Sequence, residues 1–209
     1  AVGAVAQTPK PATGNLTIKT LHKVDHINQL PNGKYEVTVH NIDEQGETVA
    51  IKIYTCKHLF VNAGVVGSMQ ILLKSKHLGG LPNLNDEVGK HWGNNGNIMA
   101  MRTLLNEDTG AQQCIVPVTA YGNLDNPVTP LLAEQAPFPI GMEFRQLLTL
   151  AITKNPERGY FKYNPTTENA ELYFDSNQME ISRQAMAHFI DQLNAANGGV
   201  LDKTWYFGG

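Results

Sequence analysis

Between residues 16 and 56, apolar and polar residues alternate in three successive stretches: Leu16, Ile18 and Thr20; then Tyr35, Val37 and Val39; then Val49, Ile51 and Ile53. A period of two sends alternate side chains to opposite faces of an extended strand, so each stretch predicts a strand with one row on a buried face. The connections are Pro31-Asn32-Gly33-Lys34 and Asp43-Glu44-Gln45-Gly46-Glu47. Asn-Gly adopts the left-handed backbone that a tight hairpin requires. The expected unit is a three-stranded antiparallel meander.

The pattern then changes. Leu59-Phe60-Val61 is a short apolar run without alternation, as in a strand buried on both faces. Asn62-Ala63-Gly64 follows, and Val65 to Lys74 reads as a helix stopped by Gly79-Gly80. A buried strand that feeds a helix through glycine either serves turn geometry alone or belongs to a dinucleotide-binding layer, where backbone approaches a ligand closely. Residues 79–97 read as loop, and the crossing into a second domain is placed there, at about residue 90. Strands are expected near 97–104, 112–121 and 131–137. A helix is expected at 143–153, from Leu147, Leu148, Leu150 and Ile152, ended by Asn155-Pro156 and Gly159. Residues 160–164 and 170–174 read as a hairpin, and 178–196 as a helix with Ile181, Ala185, Phe189 and Leu193 on one face, closed by Gly198-Gly199. Trp205-Tyr206-Phe207 reads as a last strand. The class is α+β: a meander, strand and helix of a partial dinucleotide-binding domain over 1–90, then an antiparallel sheet covered by helices over 91–209.

Composition narrows the function. A net charge of −3 gives no basic footprint, which argues against a nucleic-acid partner. No apolar run approaches the ~18 residues of a membrane-spanning helix. Ala1-Val2-Gly3-Ala4-Val5-Ala6 lacks the basic leader and long apolar core of a signal peptide. Cys56 and Cys114 match no zinc spacing and read as small apolar residues, with their pairing open. The histidines are scattered; His22 and His26 are four apart but lie in strand, so they do not line up as a helical metal pair. No phosphate-loop lysine or nucleophile elbow occurs, and no metal site is expected.

Two features stand out. Glu134 lies in Leu131-Leu132-Ala133-Glu134-Gln135-Ala136-Pro137-Phe138-Pro139-Ile140, an almost wholly apolar strand. Its carboxylate either faces solvent on the strand's other side or points into an apolar cavity, where desolvation suits it to proton transfer. Trp92-Gly93-Asn94-Asn95-Gly96-Asn97 is either a tight surface loop or a turn pressed against a ring system, with Asn97 supplying an amide to orient a ligand.

Longer strings carry a resemblance. They are Ala63-Gly64-x-x-Gly67-Ser68, Gly80-Leu81-Pro82-Asn83-Leu84-Asn85-x-Glu87-Val88-Gly89 and Trp92-Gly93-x-Asn95-Gly96-Asn97-Ile98-Met99. Further on come Ala133-Glu134-x-Ala136-Pro137 and Leu150-Ala151-Ile152-Thr153-Lys154-Asn155-Pro156-x-Arg158-Gly159, and upstream Thr20-Leu21-His22-Lys23-Val24. In this order they resemble the cholesterol oxidases, flavoenzymes of the glucose–methanol–choline type. The resemblance implies FAD as cofactor, a 3β-hydroxysteroid or other bulky alcohol as substrate, and molecular oxygen as acceptor, reduced to hydrogen peroxide. It implies, for many members, isomerisation of the double bond beside the new ketone.

By the same resemblance Glu134 is the active-site base that moves a proton between ring carbons. Val24 meets the adenine end of FAD by its backbone, Ala63 and Gly64 lie beside the cofactor, and Asn97, Leu132 and Phe138 border the substrate. The sequence departs from the better-known members at Leu132, where they have an aromatic residue, at Phe138, where they have Met, and at Asn94, where they have Pro. The family's glycine-rich phosphate fingerprint is expected before residue 1, and its catalytic His string and later Asn beyond Gly209, so the 209-residue chain by itself is expected to be inactive. The resemblance is compatible with a secreted or periplasmic location and with brief contact between the whole enzyme and a membrane surface. Two other readings stay open: an oxidoreductase for another bulky alcohol with a different acceptor, and a non-catalytic lipid-binding module.

Overall fold

A computed structural model describes residues 16–106, 119–126, 130–136 and 145–208. The chain divides into two compact units, Ala1–Asn85 and Asp86–Gly209.

The first unit is the meander with a helix against it. Strands β1 (His22–Gln29), β2 (Tyr35–Ile42) and β3 (Thr48–Cys56) form one antiparallel sheet in that order. The ladder begins at His22 rather than Leu16; Leu21, with φ +55, turns the chain into it, and Leu16 and Ile18 stay exposed. Helix α1 (Gly64–His77) packs Ile71 against Ile27 of β1 and Leu81. Its Ser75 is fully buried and satisfied: the hydroxyl donates to the Ile71 carbonyl and accepts from the Ile27 N–H at 2.8 Å.

The alternating row Leu16, Ile18 and Thr20 thus lies before β1 and is exposed, not a strand row on a buried face, and two further sequence expectations fail here. Leu59-Phe60-Val61 is not a strand, because no strand among the described residues pairs with it; Leu59 and Val61 pack on the core while Phe60 is exposed. The row Val49, Ile51 and Ile53 is exposed, not buried. Register explains this: the buried Val37 and Val39 pair with Tyr54 and Lys52, which puts Ile51 and Ile53 on the opposite face, beside His40 and Thr38. Alternation shows that a row shares a face but not which face is covered.

Asp25 lies at the bulge between Val24 and His26. Its carboxylate accepts from Lys74 Nζ and His26 Nδ1, each at 2.8 Å. Burial opposes its ionisation, but the hydrogen bonds from Lys74 and His26 and the charges of Lys74 and His40 outweigh that and hold it below the usual carboxylate range. The unfolded chain therefore takes up this proton at higher pH than the folded one. The stabilisation is fully present above the unfolded value of about 3.9 and is lost as pH falls through the folded value. Asp25→Asn is expected to flatten the acid limb of the unfolding curve, so that its deficit against wild type shrinks between about pH 6 and pH 2.5. A deficit constant over that range in urea unfolding would count against the ion pair.

The second unit is built on a five-stranded antiparallel sheet in the order β10-β4-β7-β6-β5. The strands are β4 (Ile98–Leu104), β5 (Thr119–Gly122), β6 (Leu131–Ala136), β7 (Gln146–Thr153) and β10 (Gly199–Gly208). A hairpin, β8 (Tyr160–Asn164) with β9 (Asn169–Tyr173), stands apart from it. The expected helix at 143–153 is strand β7 over its described part. Thr149, Ala151 and Thr153 are buried on one face while Leu148, Leu150 and Ile152 take the other. The leucine-rich run hid this period-two pattern because small residues form the buried row.

Helix α2 (Glu180–Asn197) covers one face of the sheet. It packs Met186, Phe189 and Ile190 onto Ile98, Ala133 and Ala151. Asp175 opens the preceding turn with a reciprocal capping box to Gln178, and Gly198, at φ +70, closes the helix. The covering layer among the described residues is thus a single long helix with its short entry turn.

Candidate functional site

Register fixes the sheet face opposite α2. Glu134 pairs with Leu150, and Leu150 with Met99. The next row is Ala136, Leu148 and Met101, and the one before it is Tyr121, Leu132 and Ile152. Since Ile98, Ala100, Ala133 and Ala151 lie in the core under α2, alternation puts these rows on the other side. The face is apolar. Glu134 is the only carboxylate in β4, β5, β6 and β7. It is half-buried, as are Leu132, Leu148, Leu150 and Ile152. Directly opposed side chains start about 5 Å apart, so Leu150 flanks the carboxylate closely.

Asn97 precedes β4 by one residue and is exposed, with the alternation of Met99. It shares the row of Ile152 and Leu132, two strands over and two residues along from Glu134. Strand geometry makes the separation on the order of 12 Å. Among the described residues the Asn97 amide has no hydrogen-bond partner. The structure thus brings Glu134, Leu132 and Asn97 to one sheet. Phe138 and Cys114 lie outside the described residues.

Sequence reasoning missed the flanking apolar residues of β7, and it missed Thr153, Asn155 and Ser182, which fasten the Asn97 turn from behind. Strict alternation in Thr149-Leu150-Ala151-Ile152-Thr153 was the signal for the first group; nothing in the sequence marks the second, because its bonds join distant segments.

Val24, Ala63 and Gly64 lie in the first unit. Val24 is half-buried and packs on the core, next to the Asp25 bulge. Ala63 is the N-cap of α1 without a side-chain cap, and no acidic residue lies in the first turn. Gly64 has φ +71 and open space where a Cβ would stand. A helix start with N–H groups lacking side-chain acceptors, entered by an unobstructed glycine, fits a phosphate or carbonyl group of a dinucleotide. Among the described residues, no group of His, Cys, Asp or Glu is arranged to hold a metal, and no helix is long and apolar enough to cross a membrane.

Residues 95–208 match the family described as "GMC oxidoreductase, C-terminal", more than half of the chain and nearly the whole five-stranded unit. A probable malate:quinone oxidoreductase of Bacillus cytotoxicus is 36% identical over 73 residues, which is 32% of this chain and 14% of that protein. The chain thus matches only a small part of that relative's length. The span that matches the family holds α2, the apolar sheet face and Glu134, and the chain belongs to the GMC oxidoreductases, a typically flavin-dependent family.

Proposed function

We propose that the whole protein is an FAD-dependent oxidase of a 3β-hydroxysteroid or similarly bulky alcohol, and that this chain supplies its substrate-facing sheet. The observation that carries the reading is Glu134, the one carboxylate of β4, β5, β6 and β7, set among Leu132, Leu148, Leu150 and Ile152. A small polar alcohol gains nothing from Leu132, Leu148, Leu150 and Ile152; a fused-ring substrate buries against all four, at ~25 cal/mol per Å². The distance from Glu134 to Asn97 suits a rigid molecule of several rings, gripped by an amide at one end and served by a base at the other.

FAD would supply the acceptor for the hydride of the carbinol carbon. Ala63 and Gly64 would hold it by backbone N–H groups, and Val24 would meet its adenine end. Glu134 takes a proton from one ring carbon and returns it to another, which shifts the double bond beside the ketone. Leu150 and its neighbours keep water away from that carboxylate. The name of the similar protein, a probable malate:quinone oxidoreductase, favours a second reading of the acceptor: a quinone instead of oxygen.

The test is a panel of sterols, long-chain alcohols and small hydroxy acids given to the full-length protein, with flavin content, peroxide release and quinone reduction measured together. Peroxide with sterols supports the proposal as stated, and quinone reduction with sterols changes the acceptor alone. Turnover confined to small hydroxy acids would overturn the substrate class. Sterol binding without flavin would point to a lipid-binding module.

A further inference from the structure

We propose that Thr153, backed by Asn155, is a positioning residue that sets Asn97 for the substrate. The inference rests on the reading of the open sheet face as the substrate face. Thr153 is the last residue of β7 and is buried. Its N–H donates to the Gly96 carbonyl at 3.2 Å and its hydroxyl donates to the same oxygen at 2.9 Å. The Ser182 hydroxyl of α2 lies 2.6 Å from Thr153 Oγ. The one Thr153 hydroxyl proton goes to the carbonyl, which has none of its own, so Ser182 donates to Thr153.

Asn155 fastens the turn from the other side. It is buried, and its amide donates to the Gln178 carbonyl at 2.9 Å, while its oxygen accepts from the Glu157 N–H at 3.0 Å. The amide also lies 3.5 Å from Asn94 Oδ1, the oxygen that accepts from the Gly96 N–H at 3.0 Å. Buried polar groups are costly unless satisfied, and here several are devoted to one short turn. The residue next to that turn is Asn97, exposed, and the one after it is Ile98, fully buried. Asn97 is thus held on both sides while its amide stays free among the described residues. That is the preorganisation a ligand contact needs.

The experiment uses the full-length holoenzyme and compares Thr153→Val, Thr153→Ser, Asn97→Ala and the double variant Thr153→Val/Asn97→Ala. Thr153→Val is expected to raise KM for the bulky alcohol about tenfold with kcat changed less than about threefold, the scale of one lost hydrogen bond. Thr153→Ser keeps the hydroxyl and is expected to restore KM to within about twofold. The double variant is expected to be no worse than Asn97→Ala, because both changes remove the same contact. Multiplicative effects, or an unchanged KM in folded Thr153→Val, would overturn the proposal.

Amide hydrogen exchange at Gly96 and Asn97 gives a readout that does not depend on turnover. It is expected to speed up in Thr153→Val and not in Thr153→Ser, and equal rates in wild type and Thr153→Val would overturn the positioning role. A wild-type protein that oxidises no alcohol would sink the substrate reading, while the exchange rates still decide the role of Thr153.

Discussion

Gly96→Ala is expected to destabilise the second unit by about 3 kcal/mol, more than any other glycine replacement in the Trp92–Asn97 loop. Gly96 has φ +59, a region that costs an L-residue on the order of 1 kcal/mol. A Cβ there would stand 2.2 Å from Thr153 Oγ, 2.6 Å from the Thr153 carbonyl oxygen and 3.0 Å from Ser182 Oγ. Two of these atoms belong to Thr153 at the end of β7, and the third belongs to Ser182, a fully buried residue of α2. Relief therefore means moving a strand or a helix, which costs a further ~1–3 kcal/mol.

Gly93 is the control. Its added Cβ would meet only the Arg158 side chain, at 3.3 Å or more, and that side chain is flexible. Gly93→Ala is expected to stay within about 1 kcal/mol of wild type. Urea unfolding followed by far-ultraviolet circular dichroism checks both variants. A Gly96→Ala protein as stable as Gly93→Ala would show that the turn is looser than its geometry implies.

The same turn shows how far the sequence carries. The cluster of glycine and asparagine at 92–97 was legible as a place where backbone is tight, because those residues are needed for left-handed geometry. What holds the turn was not legible: Thr153 and Ser182 come from elements that no local pattern joins to it. Strands β2 and β3, α1, the β8–β9 hairpin and α2 were legible because alternation, turn residues and a 3.6-residue apolar stripe are local signals, whereas β1 begins only after the alternating row Leu16, Ile18 and Thr20. Strand β7 was misread for the opposite reason. Its buried row is Thr149, Ala151 and Thr153, small residues that let α2 approach, and Leu148, Leu150 and Ile152 sit on the other face.

That inversion also bears on the site. A strand whose larger apolar side chains face away from its own core needs something to cover them, and here the leucines surround Glu134. Glu134 itself was legible only as a carboxylate in apolar company. The register of β4, β6 and β7 is what separates the two rows and puts it among Met99, Leu148, Leu150 and Ile152.

Glu134→Gln in the full-length protein is expected to suppress double-bond isomerisation about a thousandfold while alcohol oxidation falls less than about tenfold, the range that separates loss of a catalytic base from a small change in packing. The replacement keeps side-chain size and the capacity to accept one hydrogen bond, so the apolar face stays packed and the fold intact. It removes the group that, on the proposed function, takes a proton from a ring carbon. Hydride transfer from the carbinol carbon does not pass through that group, so the oxidised but unisomerised ketone should accumulate, and its lack of a conjugated enone absorbance makes the two steps separable in one assay. Equal loss of both steps would place Glu134 on the hydroxyl proton instead. In that case the carboxylate would serve the oxidation itself, and Glu134 would mark the substrate's oxygen rather than its ring.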